Sequence, residues 1–310
     1  MYVTEPDAAS HAEMPRRASY RPAPLHRVLV AGASGLIGGA LSAAVVAAGD
    51  EVVRWGRADR REALPGVLAG CDGVVNLAGA PILGRRWTEA QRLVLRRSRV
   101  EWTTALVKAL AAANPRPQVL VNASAVGYYG DRGAETLAED APPGEGFLAG
   151  LCRDWEAAAR GAEALGVRVV CLRTGVVLAR NGGALRQMLP AFRLGLGGPI
   201  GDGRQYFPWI HLDDELAIIR AALGNAQWRG PLNAAAPEAV TSREFARALG
   251  RALHRPAIVP TPRAALRLLY GDAASVLFAS QRVVPAALTA GGFMFRYPQL
   301  AAALTDLVAS

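Results

Sequence analysis

The stretch Val28-Leu29-Val30-Ala31-Gly32-Ala33-Ser34-Gly35-Leu36-Ile37-Gly38 decides the fold. Its apolar opening reads as a buried strand, its glycines fall as Gly32-x-x-Gly35-x-x-Gly38, and residues 36–48 have the composition of a helix. A strand that passes into a helix through glycines at this spacing meets three separate needs. One glycine turns the chain sharply, a second lets a pyrophosphate approach bare backbone, and the third lets helix and sheet come close. The free N–H groups at the helix start, with the helix dipole behind them, then face the anion. In a chain with 33 glycines the triplet alone is an ordinary turn; the flanking strand and helix make it a dinucleotide site. Gly32, Ser34, Gly35, Leu36, Ile37 and Gly38 are the residues expected to hold the ligand.

Outward from this turn, apolar runs at 28–31, 51–55, 73–77, 118–122 and 167–172 alternate with helical stretches at 36–48, 88–113 and 148–165. That alternation predicts an α/β fold, a Rossmann-type doubly wound parallel sheet with helices on both faces. A helix at 213–223, opening at Asp213 and Asp214, leads to a strand at 230–234 that rejoins the sheet. The expected division is a cofactor domain over 25–180, rejoined by 212–236, and a smaller, mainly helical C-terminal region from 181–211 and 237–310 that shapes a substrate cleft. Beyond Thr241, Ser242-x-Glu244 marks a helix start, and a last helix is expected near 298–309. Residues 1–24 lack periodicity and read as a disordered tail without the apolar segment of a secretory signal.

The chain has 310 residues, 51% of them hydrophobic and 20% charged, enough to bury a large core. No apolar run reaches the roughly 18 residues of a membrane span, so no membrane partner is expected. Cys71, Cys152 and Cys171 have no metal-ligand spacing and are too few for a disulfide framework, which predicts no metal and a reducing, cytoplasmic setting. The formal charge of +9 comes almost entirely from arginine, Lys108 being the single lysine. Arg92, Arg96 and Arg99 fall at i, i+4 and i+7 and share one helix face. That face is either solvated or partly turned toward cofactor phosphates. Nucleic-acid binding through it would collapse with added salt, and without a recognised RNA-binding motif no specific nucleic acid is expected. A small-molecule substrate and a monomer or homodimer are.

The end of the second strand separates the two nicotinamide cofactors, because an acid there bonds the ribose hydroxyls and an arginine accepts a 2′-phosphate. Here it reads Val52-Val53-Arg54-Trp55-Gly56-Arg57. With no acid at that point, Gly56 and Arg57, helped by Arg60 or Arg61, predict NADP (NADPH) over NAD; the alternative for Arg57 is a solvent-exposed loop charge. Further on, Asn76-Leu77-Ala78-Gly79 ends a strand in small residues. Leu77, Ala78 and Gly79 would let backbone run alongside the cofactor's ribose and adenine.

With Asn122-Ala-Ser124-Ala-Val-Gly-Tyr-Tyr-Gly130 added to these motifs, the chain resembles the short-chain dehydrogenase/reductase superfamily, in its extended, epimerase-like branch. More closely it is similar to atypical epimerase-family proteins through Gly195-Leu-Gly-Gly-Pro-Ile-Gly201, Gln205-Tyr-Phe-Pro-Trp-Ile-His-Leu-Asp-Asp214 and Gln281-Arg-Val-Val-Pro285. The likeness spans about 27–308 and implies NADP on a Rossmann domain. It also implies a catalytic Ser, Tyr and Lys, the last two as Tyr-x-x-x-Lys, where the ammonium lowers the phenol's pKa and grips the nicotinamide ribose.

Ser124 matches the serine. The resemblance aligns Leu148 with the tyrosine and Cys152 with the lysine, and neither can replace the group it stands for, since leucine has no proton to give and an ordinary thiol is mostly neutral. Since Thr104 lies four residues before Lys108, no Tyr-x-x-x-Lys occurs anywhere in the chain. Arg99 aligns with the asparagine of the superfamily's tetrad and would restore some of the missing charge at the cofactor, or else is structural. Arg173, after the 167–172 strand, is either a cofactor or substrate contact or a salt bridge at the sheet edge. Tyr128 or Tyr129 would relay a proton or line the cleft, and Cys152 is a thiol beside the cofactor or a buried small hydrophobe. His211, with Trp209 and Asp213, is expected to hold the C-terminal region to the sheet. The expected activity is an NADP-dependent oxidoreductase or epimerase acting on a small polar or sugar-like substrate, with Ser124 positioning the reacting oxygen. The competing expectation is an NADP-binding regulator or redox sensor that has lost catalysis.

Overall fold

Val28 to Ala31, Val74, Val75 and Val119 to Val121 are all buried, as strands covered on both faces must be. The computed structural model describes residues 26–56 and 58–309, so both the expected disordered tail and Arg57 lie outside the described residues. Six parallel strands form the central sheet in the order Glu51–Trp55, Arg27–Ala31, Gly73–Asn76, Val119–Ala125, Arg168–Thr174, Gly230–Ala234. From Arg27–Ala31 the chain first steps to one side and then returns to the other. The order therefore reverses between Arg27–Ala31 and Gly73–Asn76, and a ligand crevice opens beyond the carboxyl ends of that pair.

Strand periodicity sorts the core into two layers. Val28 and Val30 meet Leu41 and Val45 of the Leu36–Ala47 helix and Ile218 and Ile219 of Leu212–Gly224. On the opposite face Leu29 and Ala31 meet Leu106 and Leu110 of Trp102–Ala112, with Ala159 of Phe147–Arg160. The C-terminal residues have a core of their own, in which Leu185, Phe192, Trp209, Phe245 and Leu304 come together.

The helix over 88–113 and the ends of two strands differ from expectation, whereas the helix at Ser242 begins where expected. The single helix over 88–113 is Glu89–Arg96, a π-helical turn Arg97–Glu101, and Trp102–Ala112. The expected strands 118–122 and 167–172 both run on, to Ala125 and Thr174, because their pairing continues in register and makes Ser124 and Arg173 direct neighbours. Arg173 is thus inside a strand. Finally, the cap of Ser242–Ala252 is Thr241: its hydroxyl accepts from the Glu244 N–H while the Glu244 carboxylate accepts from the Thr241 N–H, a reciprocal box that satisfies two orphan donors.

His211 tethers the C-terminal segment. It caps Leu212–Gly224 by accepting from the Asp213 N–H at 3.0 Å, its ring lies 3.9 Å from that of Tyr297, and Nε2 is 3.4 Å from the Asp306 carboxylate. Asp214 adds two bonds, from the N–H groups of Arg296 and Tyr297. Among the described residues no helix is long and apolar enough to cross a membrane, and no group of three or more metal-ligating side chains occurs.

Candidate cofactor and active site

The three glycines meet three different surroundings. Gly32 has φ +85°, where a side chain is strained, and a Cβ there would stand 2.8 Å from the Leu77 carbonyl. A Cβ on Gly38 would meet the Gly32 oxygen at 2.3 Å, so the helix lies directly on the turn. Gly35 is different: a Cβ there has only the Gly32 oxygen nearby, at 3.4 Å, and the residue is an N-cap with no side-chain cap bond. The first N–H groups of Leu36–Ala47 have no partner within the helix. Bare, uncapped backbone at a helix start on the topological switch point fits a pyrophosphate. Ser34 and Leu36 flank it, exposed, while half-buried Ile37 joins the core below.

At the end of the second strand Gly56 is exposed, and its N–H donates to the Asp59 carboxylate at 2.6 Å. Asp59 lies past the strand end, outside the positions that the cofactor pattern singles out, and its carboxylate is already engaged by backbone. Arg61 lies over the Trp102 ring at 5.7 Å.

Across the crevice, Leu77 continues the pairing through a bond from its N–H to the Ala31 carbonyl. Beneath the strand end Asn76 donates to Thr103 and Asn122 and accepts from the Trp102 indole, a buried network that holds this segment to the Trp102–Ala112 helix. Gly79 then passes Arg99 so closely that a Cβ would lie 3.0 Å from its guanidinium carbon. Arg99 projects from the π-helical turn, a feature frequent at functional sites. It is 9% exposed, donates to the Ala80 carbonyl at 3.0 Å, and lies over the Trp155 ring at 5.2 Å. Among the described residues no carboxylate pairs with it, and burial lowers its pKa to about 10. Of the three arginines, Arg92 and Arg96 lie at the surface, paired with Asp272 and Asp154, and Arg99 alone is buried.

Ser124 and Arg173 meet at Glu156, a residue that no sequence motif singles out. The Ser124 hydroxyl donates to Oε1 of Glu156 at 2.7 Å, and Arg173 clamps the same carboxylate through Nε and Nη2 at 2.9 and 3.0 Å. The remaining Arg173 terminus donates to the Tyr129 hydroxyl and the Glu139 carbonyl. Four of the five guanidinium N–H groups are thereby committed inside a residue that is 2% exposed. Arg173 thus makes the salt bridge that is the alternative to a cofactor or substrate contact, within the sheet rather than at its edge. The available signal is the i, i+4 spacing of Cys152 and Glu156, which puts an acid on the helix face that meets Ser124.

Tyr128 and Tyr129 part company. Tyr129 is fully buried, bonded to Asn233 at 2.6 Å, and burial pushes its pKa up to about 12. Tyr128 is half-buried, its ring stacked on Arg173 with the centroid 3.5 Å from Cζ. Leu148 and Cys152 both face Gly127, where a Cβ would lie 3.5 Å from Leu148 Cβ and 4.0 Å from the Cys152 sulfur. The Cys152 thiol is buried, and desolvation, with the Glu156 charge second, raises its pKa to about 12. It is therefore a neutral, buried thiol near pH 7.

Residues 28–234 match the family model for the NAD dependent epimerase/dehydratase family, about two thirds of the chain. The chain belongs to the NAD-dependent epimerase/dehydratase family. Within it, an epimerase family protein of Mycobacterium bovis is 43% identical over 290 residues, covering 89% of this chain and 96% of that protein. The crystal structure of human epimerase family protein SDR39U1 (isoform 2) with NADPH superposes with a TM-score of 0.86 at 40% identity, covering 91% of this chain and 98% of that one. The nucleoside-diphosphate sugar epimerase of Corynebacterium glutamicum gives a TM-score of 0.75 at 35% identity, over 92% of this chain but 58% of that one. Outside the epimerase match, residues 261–307 match a domain of unknown function.

Proposed function

We propose that this family member binds NADPH and is an oxidoreductase or epimerase that works without a Tyr-x-x-x-Lys dyad. The observation that carries the reading is the uncapped helix start at Gly35, open to a ligand at the switch point of the sheet; beside Gly79 at the end of the adjacent strand lies a buried cation, Arg99, with no carboxylate partner among the described residues. NADPH in the crystal of the human relative supports the choice of cofactor. When bound, the nicotinamide supplies or accepts the hydride. The chain's own share is orientation and charge. Gly35 gives the pyrophosphate a bare surface, on a turn that Gly32 and Gly38 make possible, and Arg57 is assigned to the 2′-phosphate. Leu77 to Gly79 line the ribose. Arg99, whose guanidinium lies beside Gly79 on the side toward Cys152, provides the positive charge that the absent lysine would give. Ser124 positions the reacting oxygen of a small-molecule substrate, and Tyr128 is the half-buried phenol near enough to it in sequence to move a proton.

Calorimetric titration of the full chain with NADPH and NADH tests the cofactor assignment. NADPH binding at least tenfold tighter than NADH, with the preference lost in Arg57→Ala, supports it; equal affinities overturn it. One set of observations favours the second reading, an NADP-binding regulator or redox sensor: the Ser124 hydroxyl is engaged by Glu156 and the Cys152 thiol is held neutral. Tight NADPH binding with no oxidation of NADPH across a panel of carbonyl compounds would decide for it.

A further inference from the structure

Beside the start of the Phe147–Arg160 helix lies a cleft of about 550 Å³ walled by Trp87, Arg92, Phe147, Arg267, Asp272 and Phe278. Its volume is that of a small-molecule site. Phe147 and Leu148 belong to one apolar cluster with Ala80 and Trp87, and Leu148 is the residue that faces Gly127, three positions after Ser124. The cleft wall and the proposed reaction centre thus draw on consecutive residues, Phe147 and Leu148, at the start of one helix.

The lining has an unusual chemistry for a sugar site. Three of its side chains are aromatic, and the Trp87 indole N–H is spent on the Ile82 carbonyl at 2.9 Å, so Trp87 offers ring surface alone. Trp87 and Phe147 meet edge to face at 5.2 Å. Over these rings stand guanidinium groups: Arg92 above Phe147 at 5.5 Å, and Arg263 and Arg267 above Phe278 at 5.3 and 5.7 Å. The one acid, Asp272, is already paired with Arg92 at 2.8 Å. Arg92 nonetheless keeps a buried Nε without a hydrogen-bond partner, and Arg267 has no ion pair among the described residues. A sugar ring needs a donor or acceptor for each hydroxyl it buries; this wall has guanidinium donors but few free acceptors, since Asp272 is paired with Arg92 and the Ser275 hydroxyl donates to the Asp272 carbonyl. Aromatic faces instead suit a flat apolar body, and guanidinium forks suit a carboxylate.

We propose that this cleft is the substrate subsite and that it takes a flat, apolar carboxylate rather than a sugar, with Arg92 and Arg267 holding the carboxylate and Trp87, Phe147 and Phe278 enclosing the body. The proposal rests on the reading of the adjacent crevice as the cofactor site, and the test separates the two. The full chain is titrated calorimetrically with NADPH, then with 2-naphthoate, its neutral counterpart 2-naphthylmethanol, naphthyl phosphate and UDP-glucose. Expected is saturable binding of 2-naphthoate, at least tenfold weaker in both Arg267→Gln and Arg92→Gln, with 2-naphthylmethanol weak and unaffected by either variant. Tighter binding of naphthyl phosphate than of the carboxylate, displacement of 2-naphthoate by UDP-glucose, or unchanged 2-naphthoate affinity in both variants overturns the assignment. Failure of 2-naphthoate to bind while NADPH binds sinks the subsite alone; failure of NADPH to bind sinks the cofactor reading beneath it.

Discussion

Replacing Glu215 with glutamine should make the protein more stable above neutral pH, although it touches no residue of the cofactor crevice. Glu215 is 1% exposed; Oε1 accepts from the Thr174 hydroxyl at 3.0 Å and Oε2 has no partner. Burial of so poorly supported a carboxylate raises its pKa from 4.5 to about 8. Stability falls with pH wherever the native state binds more protons than the unfolded chain. Between pH 4.5 and about 8 the native side chain keeps a proton that the unfolded one has lost. The resulting loss is about 1.4 kcal/mol per pH unit, roughly 4–5 kcal/mol by pH 8, and levels off above. Glutamine never ionises, but its second N–H needs an acceptor, at a cost of about 1–3 kcal/mol. Glu215→Gln should therefore match or fall slightly below the parent at pH 5 and exceed it by roughly 2–3 kcal/mol at pH 8, about 4–8 °C in Tm. Urea and thermal unfolding of both proteins from pH 5 to 8.5 give the difference directly, and groups such as His211 that titrate in both cancel. A difference that does not change with pH would refute the reasoning.

Gly38→Ala places a Cβ 2.3 Å from the Gly32 oxygen and should cost about 2–4 kcal/mol and abolish NADPH binding; an alanine variant with parental Tm and affinity would mean the turn has slack. Arg99→Gln should weaken NADPH about tenfold and Arg99→Lys should recover part of it, read by calorimetry; equal affinities in all three would make Arg99 structural. Glu156→Gln strips the charge that offsets buried Arg173 and should destabilise by about 3–5 kcal/mol, checked by urea unfolding, whereas a loss under about 1 kcal/mol would mean that Arg173 is compensated elsewhere. All three cysteines are buried, and burial raises each thiol pKa, so iodoacetamide should leave the native chain unmodified at pH 7.5 and label three sites in urea; mass spectrometry decides, and native labelling of Cys152 would contradict the packing around it.

What can be read in advance follows physical range. The glycine turn is a local device, and its three steric roles are written in residues 28–38 alone; likewise the buried strands announce themselves as apolar runs. A family resemblance brings Ser124, Leu148 and Cys152 side by side, and the distances to Gly127 agree. Contacts between distant residues are less legible. Only its i, i+4 spacing from Cys152 hints that Glu156 is the acid that joins Ser124 to Arg173, and the π-helical turn at Arg97–Glu101 has no sequence signature in a stretch whose spacing suits an α-helix throughout. Glu215 follows two acids at a helix start, so it looks like a member of a solvated first turn; only the fold shows that its carboxyl lies against Thr174. The aromatic and arginine cleft is assembled from residues 87, 92, 147, 267 and 278, whose meeting depends on how the C-terminal region sits on the sheet.

The bond from Ser124 to Glu156 gives the site a polarity. A hydroxyl has one hydrogen and two lone pairs, and this one has given its hydrogen to a carboxylate already held by Arg173. What it presents at rest is acceptor character, which greets an alcohol and repels a carbonyl oxygen. To receive a ketone, Ser124 must turn its hydrogen away from Glu156 and leave that carboxylate to Arg173 alone. If Ser124 meets the substrate oxygen as proposed, the resting pocket distinguishes the two oxidation states of a substrate before any hydride moves, and the reduced one enters at the lower cost.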